Sequence, residues 1–264
     1  MDEAQVPDFS LVIPCYNEQD GIANTATRLA SEFRLHQIDF ELILVDNGSN
    51  DRTGAVIDHL TAEGWPIRKV VVAENQGYGH GVIAGLKASR GRWVGFSCAD
   101  EQVEAQDVCK LYSLAAKSST PKLFKVRRRF RLDGTFRRIV SSSYNLLTTL
   151  MFGNLGSMDL NANPKLMPRE YVEAMNLVSR DWFLDAEIMI KARAMGLPVL
   201  ELNVFSLMRA EGASNVKPTT CLEFLSNLWS HRFGARRRIF TGLRKPEQVE
   251  ILRRPVAMTA PKVH

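Results

Sequence analysis

Short apolar runs alternate with amphipathic segments along the first hundred residues. Four runs, Phe9–Pro14, Phe40–Val45, Arg68–Ala73 and Trp93–Ser97, have the length and predominantly apolar character of buried strands. Residues 18–36, between the first two runs, place apolar side chains at helical spacing. Strands and helices that alternate at this spacing predict an α/β domain with a mostly parallel sheet and right-handed crossovers.

A polar or glycine-rich segment follows each of these strand runs. The segments are residues 14–18, 46–51, 75–81 and 98–102. In an open parallel sheet, ligands bind in the crevice beyond the carboxyl ends of the strands. We therefore expect the functional site to be built from these four segments.

The second half of the chain has a less regular pattern. Apolar spacing predicts a buried helix over 142–152, a second helix over 181–195 that ends at Gly196, and a strand over 199–207. Residues 218–238 have an amphipathic pattern with a basic end. This pattern predicts a helix that either packs on the core or contacts an anionic membrane surface.

The composition is that of a globular protein. The chain has 264 residues, 45% hydrophobic and 24% charged, with a net charge of +5, and this hydrophobic content excludes disorder for the bulk of the chain. Four cysteines without a C-x-x-C pair exclude a disulfide scaffold and predict free thiols. The sequence contains no transmembrane run of about 18 apolar residues. Its acidic start lacks the apolar core of a signal peptide, so we expect a cytoplasmic protein.

Carboxylate and amide side chains dominate the segments that follow the strands. Carboxylate oxygens suit hard cations such as Mg²⁺ or Mn²⁺, which bridge the diphosphate of a nucleotide. The structural alternative is that Asp and Asn residues in turns only stabilise Asx turns. This alternative is sufficient for the segment 46–51 alone, but it is less favoured for all the segments together. The residues concerned are Asp46, Asp51, Asp100, Glu101 and Glu104, with Asn17, Glu18 and Gln102 as further oxygen donors.

Six short motifs occur in order along residues 9–217. They are VIPCYNE (12–18), DNGSNDRT (46–53), NQGYGHG (75–81), ADEQ (99–102), FLDAE (183–187) and RAEGAS (209–214). Together they resemble the motifs of family 2 glycosyltransferases with the GT-A fold, in the dolichol-phosphate mannose synthase-like branch. Each motif alone has low specificity, but six in this order are specific. The chain lacks the Q-x-x-R-W motif of the processive branch.

The resemblance implies a fold and a reaction. The fold would be α/β of the GT-A type, a Rossmann-like, mostly parallel sheet flanked by helices over residues 1–217. Residues 218–264 would form a C-terminal amphipathic helix and basic tail. The reaction would move a sugar, with inversion, from a GDP- or UDP-linked donor to a polyprenyl phosphate or a glycan. A polyprenyl-phosphate acceptor would favour peripheral contact with the inner face of the membrane.

The resemblance also implies roles for individual residues. A cationic group near the phosphates would suit their charge. The roles are nucleotide contact for Pro14, Tyr16, Glu18 and Asp46, coordination of Mg²⁺ or Mn²⁺ for Asp100 and Gln102, and phosphate binding for Arg209 and Ser214.

One position departs from the family pattern. The first acid of the metal motif is Cys98 in this chain, and a neutral thiol is a poor ligand for a hard cation. Asp100, Gln102 and Glu101 would then hold the metal with phosphate oxygens and water, or Arg and Lys side chains would meet the diphosphate charge instead. The alternative function is that of a catalytically weakened protein that binds sugar nucleotides.

A basic run over 122–138 contains eight Lys or Arg and one acid. We interpret it as a loop beside the active site that handles phosphate. The resemblance to the mannose synthase-like branch implies that arginines in this run contact the sugar or the diphosphate, and Arg127, Arg128 and Arg129 are equal candidates. A solvated loop is the structural alternative. A nucleic-acid surface is less favoured, because few aromatic residues are interleaved and no nucleic-acid-binding signature is present.

Two carboxylates in the second half are candidate catalytic bases for a hydroxyl acceptor. Asp159 precedes the turn at Asn163-Pro164. Asp185 and Glu187 lie roughly 200° apart on a predicted helix, so we expect Asp185 to face the site and Glu187 to face solvent. The structural alternative for Asp185 is a carboxylate stabilised by the helix dipole. A phosphate acceptor is already anionic and needs no strong base.

The sequence Gly79-x-Gly81-x-x-Ala84 also matches a dinucleotide fingerprint. It follows the third strand run, whereas the fingerprint normally lies in the first strand-helix unit. A glycine turn that lets the backbone approach a ligand or a neighbouring strand is the simpler explanation.

Overall fold

The computed structural model describes residues 6–131, 135–157, 159–206, 226 and 228–230. These ranges contain seven strands and seven helices. The strands are β1 (Phe9–Cys15), β2 (Phe40–Asn47), β3 (Ile67–Val72), β4 (Trp93–Phe96), β5 (Leu123–Arg131), β6 (Lys165–Pro168) and β7 (Val199–Ser206), and the helices are α1 (Ile22–Leu35), α2 (Thr53–Ala62), α3 (Tyr78–Ala88), α4 (Ala105–Ala116), α5 (Thr135–Phe152), α6 (Arg169–Met175) and α7 (Leu184–Ala194).

The strands form one sheet in the order β3-β2-β1-β4-β6-β5-β7. β6 runs antiparallel to its neighbours β4 and β5, and the other pairings are parallel. The predicted helix-flanked, mostly parallel sheet is therefore confirmed. β1 and β2 are buried at nearly every position because both faces of the sheet are covered.

Two apolar clusters cover the two faces of the sheet. Side chains alternate across a strand, so Leu11 and Ile13 of β1 belong to one cluster and Val12 belongs to the other. The first cluster includes residues of α1, α2 and α4, and the second includes residues of α3, α5, α6 and α7. With helices on both faces, the carboxyl edge of the sheet is left to the loops.

The strand register brings several loops to that edge. Cys15 pairs with Asp46, and Val12 pairs with Phe96, so β1, β2 and β4 end close together. The loops that follow the first four strands are named loop 1 (16–21), loop 2 (48–52), loop 3 (73–77) and loop 4 (97–104).

Two expectations for the second half were wrong. The basic run 122–138 is not a loop, because most of it is β5, whose residues 123–126 are buried between β6 and β7. The predicted helix 142–152 is the end of the longer α5, and it is not buried all round. Leu146 and Leu150 are 61% and 73% exposed.

Several expectations concern C-terminal residues that lie outside the described ranges. The predicted unit 218–264 lies outside the described residues apart from 226 and 228–230, and Arg209 and Ser214 lie outside them as well. Among the helices of the described ranges, none is long and apolar enough to span a bilayer.

Candidate functional site

Loop 1 is fastened to loop 2 by hydrogen bonds between backbone and side chains. The Asn17 amide donates to Oγ of Ser49 at 3.2 Å, and the Asn50 amide donates to Oδ1 of Asn17 at 2.9 Å. The Glu18 amide donates to Oγ1 of Thr53 at 2.9 Å. These bonds hold the first two sequence motifs side by side.

Asp46 lies at the end of β2, next to Cys15 of β1. Its Oδ1 accepts a hydrogen bond from the Ser49 amide at 3.1 Å. Its Oδ2 faces Gly54, where an added Cβ would lie 2.5 Å away. Burial, followed by the charges of Glu18 and Asp46, raises the pKa of the Cys15 thiol well above its ordinary value. The Glu18 and Asp46 carboxylates thus both lie near Cys15, at the carboxyl edge of the sheet.

Pro14 and Tyr16 flank this position. Pro14 is partly exposed and pairs with Val45 across the sheet. Tyr16 is 39% exposed, so its ring is open to a ligand. An accessible aromatic ring next to two carboxylates can bind a nucleobase by stacking and a ribose by hydrogen bonds.

Loop 4 is anchored to α1. The Glu101 carboxylate accepts a hydrogen bond from Nδ2 of Asn24 at 2.7 Å and pairs with Arg28 at 3.0 Å. These bonds hold the Glu101 carboxylate against α1, and Glu101 lines the same cavity as Asp100 and Gln102. These contacts also fix the position of the neighbouring Asp100.

Asp100 and Gln102 are the hard-cation donors of loop 4. Asp100 is partly exposed, and its Oδ1 accepts a long hydrogen bond from the backbone N–H of Gln102 at 3.4 Å. Mg²⁺ is usually held by one or two carboxylates together with substrate phosphates and waters. One carboxylate and one amide oxygen therefore fit a cation that arrives with a diphosphate, and they are too few to retain a cation alone.

Cys98 lies beside these donors as a neutral thiol. Burial, followed by the charges of Asp100 and Asp185, raises its pKa to about 12. Its Sγ lies 3.9 Å from Nδ2 of Asn163, which also donates to the Tyr78 hydroxyl at 3.0 Å. Sulfur is a soft ligand, so Cys98 does not replace the hard carboxylate missing from the motif.

Arg128 and Asp159 form a bidentate ion pair on the β5 side of the site. Nε and Nη2 of Arg128 donate to the two carboxylate oxygens at 3.0 and 2.8 Å. A cavity of about 50 Å³ is lined by Arg128, Cys98, Asp100 and Asn161, among others. The Asn161 Oδ1 is buried and has no hydrogen-bond partner within the described part of the chain. Loop 4 and β5 thus line one cavity together, with both polar and apolar side chains.

The structure distinguishes among the three candidate arginines. Arg128 lines the cavity. Arg127 precedes it on β5, so its side chain projects from the other face of the sheet. The side chain of Arg129 lies outside the described residues.

Asp185 and Glu187 are both buried, at 2% and 0% exposure, so the expectation that Glu187 faces solvent was wrong. Asp185 pairs with Lys165 of β6, and Glu187 pairs with Lys191 at 2.5 Å. The physical reason is that α7 is enclosed, with residues 184–192 all buried. Asp185 and Glu187 point in different directions from α7, but each direction ends at a buried lysine and neither ends in water.

The glycine-rich motif after β3 is explained by packing within the protein. An added Cβ on Gly79 would lie 2.7 Å from the Asp181 carbonyl oxygen, and one on Gly81 would lie 2.8 Å from Cγ of Asn47. Both glycines lie in the first turn of α3, so the expected glycine turn at these positions was wrong, and they instead let this helix pack closely on the backbone of residues 179–181 and on Asn47. This leaves no feature that requires the dinucleotide interpretation.

Sequence reasoning missed three residues that connect the site. Tyr78 and Asn163 are hydrogen-bonded, and Asn163 accepts a bond from Nζ of Lys165 at 3.1 Å. Contacts thus run continuously from Cys98 to Asp185. The polar run N-A-N-P-K before β6 was the available signal, but its position depends on the antiparallel return of β6 beside β4.

Comparison with known families and sequences gives consistent matches. Residues 10–173 match the sequence model of a family described as "Glycosyl transferase family 2". The undecaprenyl-phosphate 4-deoxy-4-formamido-L-arabinose transferase of Pseudomonas paraeruginosa is 28% identical over 83% of this chain and 63% of the relative. The dodecaprenyl-phosphate galacturonate synthase of Rhizobium johnstonii is 30% identical over 53% of this chain and 42% of the relative. The chain thus spans between 42% and 63% of the length of these relatives.

Solved structures show the same fold. Glucosyl-3-phosphoglycerate synthase from Mycobacterium tuberculosis, in complex with Mn²⁺, UDP and phosphoglyceric acid, has a TM-score of 0.68 at 20% identity, over 86% of this chain and 79% of that chain. A structure of the same enzyme with Mg²⁺ and UDP has a TM-score of 0.67 at 18% identity, over 86% of this chain and 79% of that chain. The fold is therefore of the GT-A type, as the six motifs implied.

Proposed function

This chain belongs to glycosyl transferase family 2, and we propose that it transfers a glycosyl group from a nucleotide diphosphate sugar to a polyprenyl phosphate. The observation that carries the proposal is that loop 1 is hydrogen-bonded to loop 2 and to the start of α2, and that loop 4 shares a cavity with Arg128, at the edge where β1, β2 and β4 end. Such an edge offers separate places for a nucleoside, a diphosphate and an acceptor. The acceptor class follows the names of the curated relatives.

The nucleoside end of the donor would lie on loops 1 and 2. Tyr16 and Pro14 would contact the base, while Glu18 and Asp46 would accept hydrogen bonds from the base and ribose. We propose UDP as the nucleotide carrier, because the mycobacterial enzyme of the same fold binds UDP. GDP is the alternative carrier that the experiment below includes.

The diphosphate would lie between loop 4 and Arg128. Asp100 and Gln102 would hold Mg²⁺ or Mn²⁺ there together with phosphate oxygens. When bound, the cation would neutralise the negative charge that develops on the leaving diphosphate. Arg128 is a second, permanent positive charge beside the same cavity. Arg209 and Ser214 remain proposals for further phosphate contact.

Transfer requires a single displacement at the anomeric carbon. A phosphate oxygen of the acceptor attacks this carbon on the side opposite the diphosphate, and the bond to the diphosphate breaks with its electrons. One displacement inverts the configuration. The acceptor phosphate is already anionic, so no proton must be removed in this step.

The two candidate catalytic carboxylates, Asp159 and Asp185, would then act by positioning the basic side chains with which they pair. Asp159 holds Arg128 in a fixed plane, and Asp185 holds Lys165 beneath Asn163. Both carboxylates are engaged in ion pairs. We therefore assign them positioning roles with a phosphate acceptor, and Asp159 is the candidate base only with a hydroxyl acceptor.

An exposed leucine face lies next to this site. Leu146, Leu147 and Leu150 of α5 are 61%, 37% and 73% exposed. On the other side of the helix, Oδ1 of Asn145 accepts a hydrogen bond from the Leu160 amide at 3.3 Å, one residue from Asp159. We propose that this face contacts the bilayer or the polyprenyl tail, so that the protein works as a peripheral membrane protein.

The proposal is tested by incubating the purified chain with undecaprenyl phosphate in detergent and a panel of labelled UDP- and GDP-sugars. Each reaction contains Mn²⁺, Mg²⁺ or a chelator. We expect label to enter the lipid fraction from one donor, with UDP compounds preferred. Arg128→Ala should lower the rate by at least about 100-fold if it stabilises the leaving diphosphate. Arg169→Ala, which removes an exposed pair with Glu173, should leave the rate within about twofold.

Two outcomes would overturn the proposal. Binding of a sugar nucleotide without transfer to any lipid phosphate would identify a binding protein instead of an enzyme. Transfer to a soluble hydroxyl compound, with none to undecaprenyl phosphate, would assign a different acceptor class.

A further inference from the structure

Three metal-ligand side chains meet away from the site, where α1 contacts α4. They are Glu32, His36 and Cys109, and their ligand atoms all lie within 4.8 Å of one another. Glu32 and His36 are four residues apart, which places them on the same side of the end of α1. Cys109 faces them from the first half of α4. Within the described ranges, no other group of at least three such ligands is this close.

The charges of this cluster lack balance. The Glu32 side chain is only 17% exposed, and its ion-pair partner in the described part of the chain is the His36 imidazole at 3.5 Å. Cys109 is 1% exposed. A largely buried carboxylate thus lies close to a buried thiol and an imidazole, and a divalent cation would coordinate all three.

We propose that Glu32, His36 and Cys109 bind Zn²⁺, with water as the fourth ligand. Zinc accepts sulfur, nitrogen and oxygen ligands in a tetrahedron, with bonds of roughly 2.0–2.3 Å. Ligand atoms within 4.8 Å of one another need to close by about 1 Å or little more to reach it. Binding would form the zinc–sulfur bond and release the thiol proton to solvent.

The ligand types separate this site from loop 4. Asp100 and Gln102 offer only oxygen, which suits Mg²⁺ or Mn²⁺, whereas a thiolate and an imidazole select zinc. The zinc would join α1 to α4. Both helices border loop 4, because α1 holds Glu101 through Arg28 and α4 begins directly after the loop. The proposed role is therefore to stiffen the frame behind the catalytic edge.

The test uses the tag-free full chain, stripped of metal with a chelator. Zn²⁺ affinity is measured by competition with a chromophoric chelator, and Co²⁺ serves as the spectroscopic probe. We expect one equivalent of tight binding, a sulfur-to-cobalt charge-transfer band in the near ultraviolet, and affinity that rises with pH. His36→Ala and Cys109→Ser should each weaken zinc binding by more than the roughly 10–100-fold that loss of a second-shell partner costs.

His59→Ala is the matched control. His59 pairs with Glu63 four residues later on α2 at 3.2 Å, but neither belongs to a described three-ligand cluster. This variant should change zinc affinity by less than about twofold, since a lone surface imidazole is a weak ligand. His36 is exposed, so its variant should fold even if Cys109→Ser does not. Absence of the cobalt band in the wild type, or equal zinc affinity in His36→Ala and the wild type, would overturn the proposal.

Discussion

The guanidinium of Arg128 holds both carboxylate oxygens of Asp159, at 3.0 and 2.8 Å. A carboxylate that accepts two charge-assisted bonds from a guanidinium is stabilised in its ionised form and is therefore a weaker proton acceptor. The pair also fixes the guanidinium where β5 meets loop 4. This geometry favours Asp159 as a positioning residue over Asp159 as a general base.

Replacement of Asp159 tests this assignment. Asp159→Asn keeps the size of the side chain but removes its charge and one acceptor, so Arg128 loses its fixed plane. We expect the transfer rate to fall by roughly 10–100-fold with a raised KM for the acceptor. Glu173→Gln, in the exposed pair with Arg169, is the control. A fall in kcat alone, together with loss of the acidic limb of the pH profile, would instead identify Asp159 as a base.

Cys98 should determine how tightly the enzyme holds its cation. Cys98→Asp supplies the second carboxylate that the motif lacks, so half-maximal activity should need at least about tenfold less Mn²⁺, because the carboxylate is a hard ligand. Cys98→Ser retains a neutral side chain and should leave the Mn²⁺ dependence unchanged. Titration of activity against Mn²⁺ measures both. An unchanged requirement in Cys98→Asp would show that position 98 does not face the cation.

Gly54 should be needed to place Asp46. A Cβ at position 54 would lie 2.5 Å from Oδ2 of Asp46, so Gly54→Ala displaces the carboxylate. We expect UDP to bind about 5–50-fold more weakly, as for loss of one charged hydrogen bond, when measured by calorimetry. Gly21→Ala is the control, because nothing lies within 4 Å of its added Cβ. Equal affinities in the two variants would remove Asp46 from the nucleotide site.

The leucine face of α5 should govern membrane binding. Leu146→Ser combined with Leu150→Ser removes apolar area from the surface, so sedimentation with anionic vesicles should decrease by at least about tenfold. Leu35→Ser is the control, since Leu35 is 74% exposed on α1. Transfer to a short, water-soluble polyprenyl phosphate should be unaffected by the double substitution. Vesicle binding equal to wild type would place any membrane contact elsewhere.

Glu41 should make stability depend on acid pH. Burial raises its pKa, but hydrogen bonds from Ser10, Arg68 and Arg90 outweigh burial and hold the pKa below its ordinary value. The ionised carboxylate therefore stabilises the fold above the unfolded pKa of about 4.3, and this contribution is lost as the pH falls through the folded pKa. Glu41→Gln should lower the free energy of unfolding by about 1–3 kcal/mol at neutral pH.

Urea unfolding at several pH values measures the Glu41 effect. The difference between wild type and Glu41→Gln should shrink below about pH 4. Glu173→Gln should change the unfolding free energy by less than about 0.5 kcal/mol at any pH. A Glu41 difference that does not vary with pH would show that the variant acts through packing instead of charge.

The alternating first half of the chain was predictable in detail. β1, β2 and β4 lie where apolar runs indicated, because parallel strands buried on both faces leave a continuous signal. Position at the end of a strand also predicted that Glu18, Asp46 and Asp100 lie at one edge of the sheet, since the carboxyl ends of parallel strands share an edge.

The second half was decided by tertiary contacts. A basic composition suggested a loop at 122–138, yet Lys125 is buried in β5, where its Nζ lies 3.2 Å from Glu201. Only the neighbouring strand supplies that partner, so local composition could not reveal it.

The sequence by itself determined the first four strands, the polar segments that follow them and the family, because these depend on period and on short motifs. The tertiary structure decided which charges are used within the fold. Asp185 and Glu187 both turn inward to lysines, Glu101 turns to α1, and Arg128 is selected over Arg127. The physical reason is that the ion-pair partner of a charged side chain sets its direction and its role. Here the partners lie from four to more than seventy residues away along the chain.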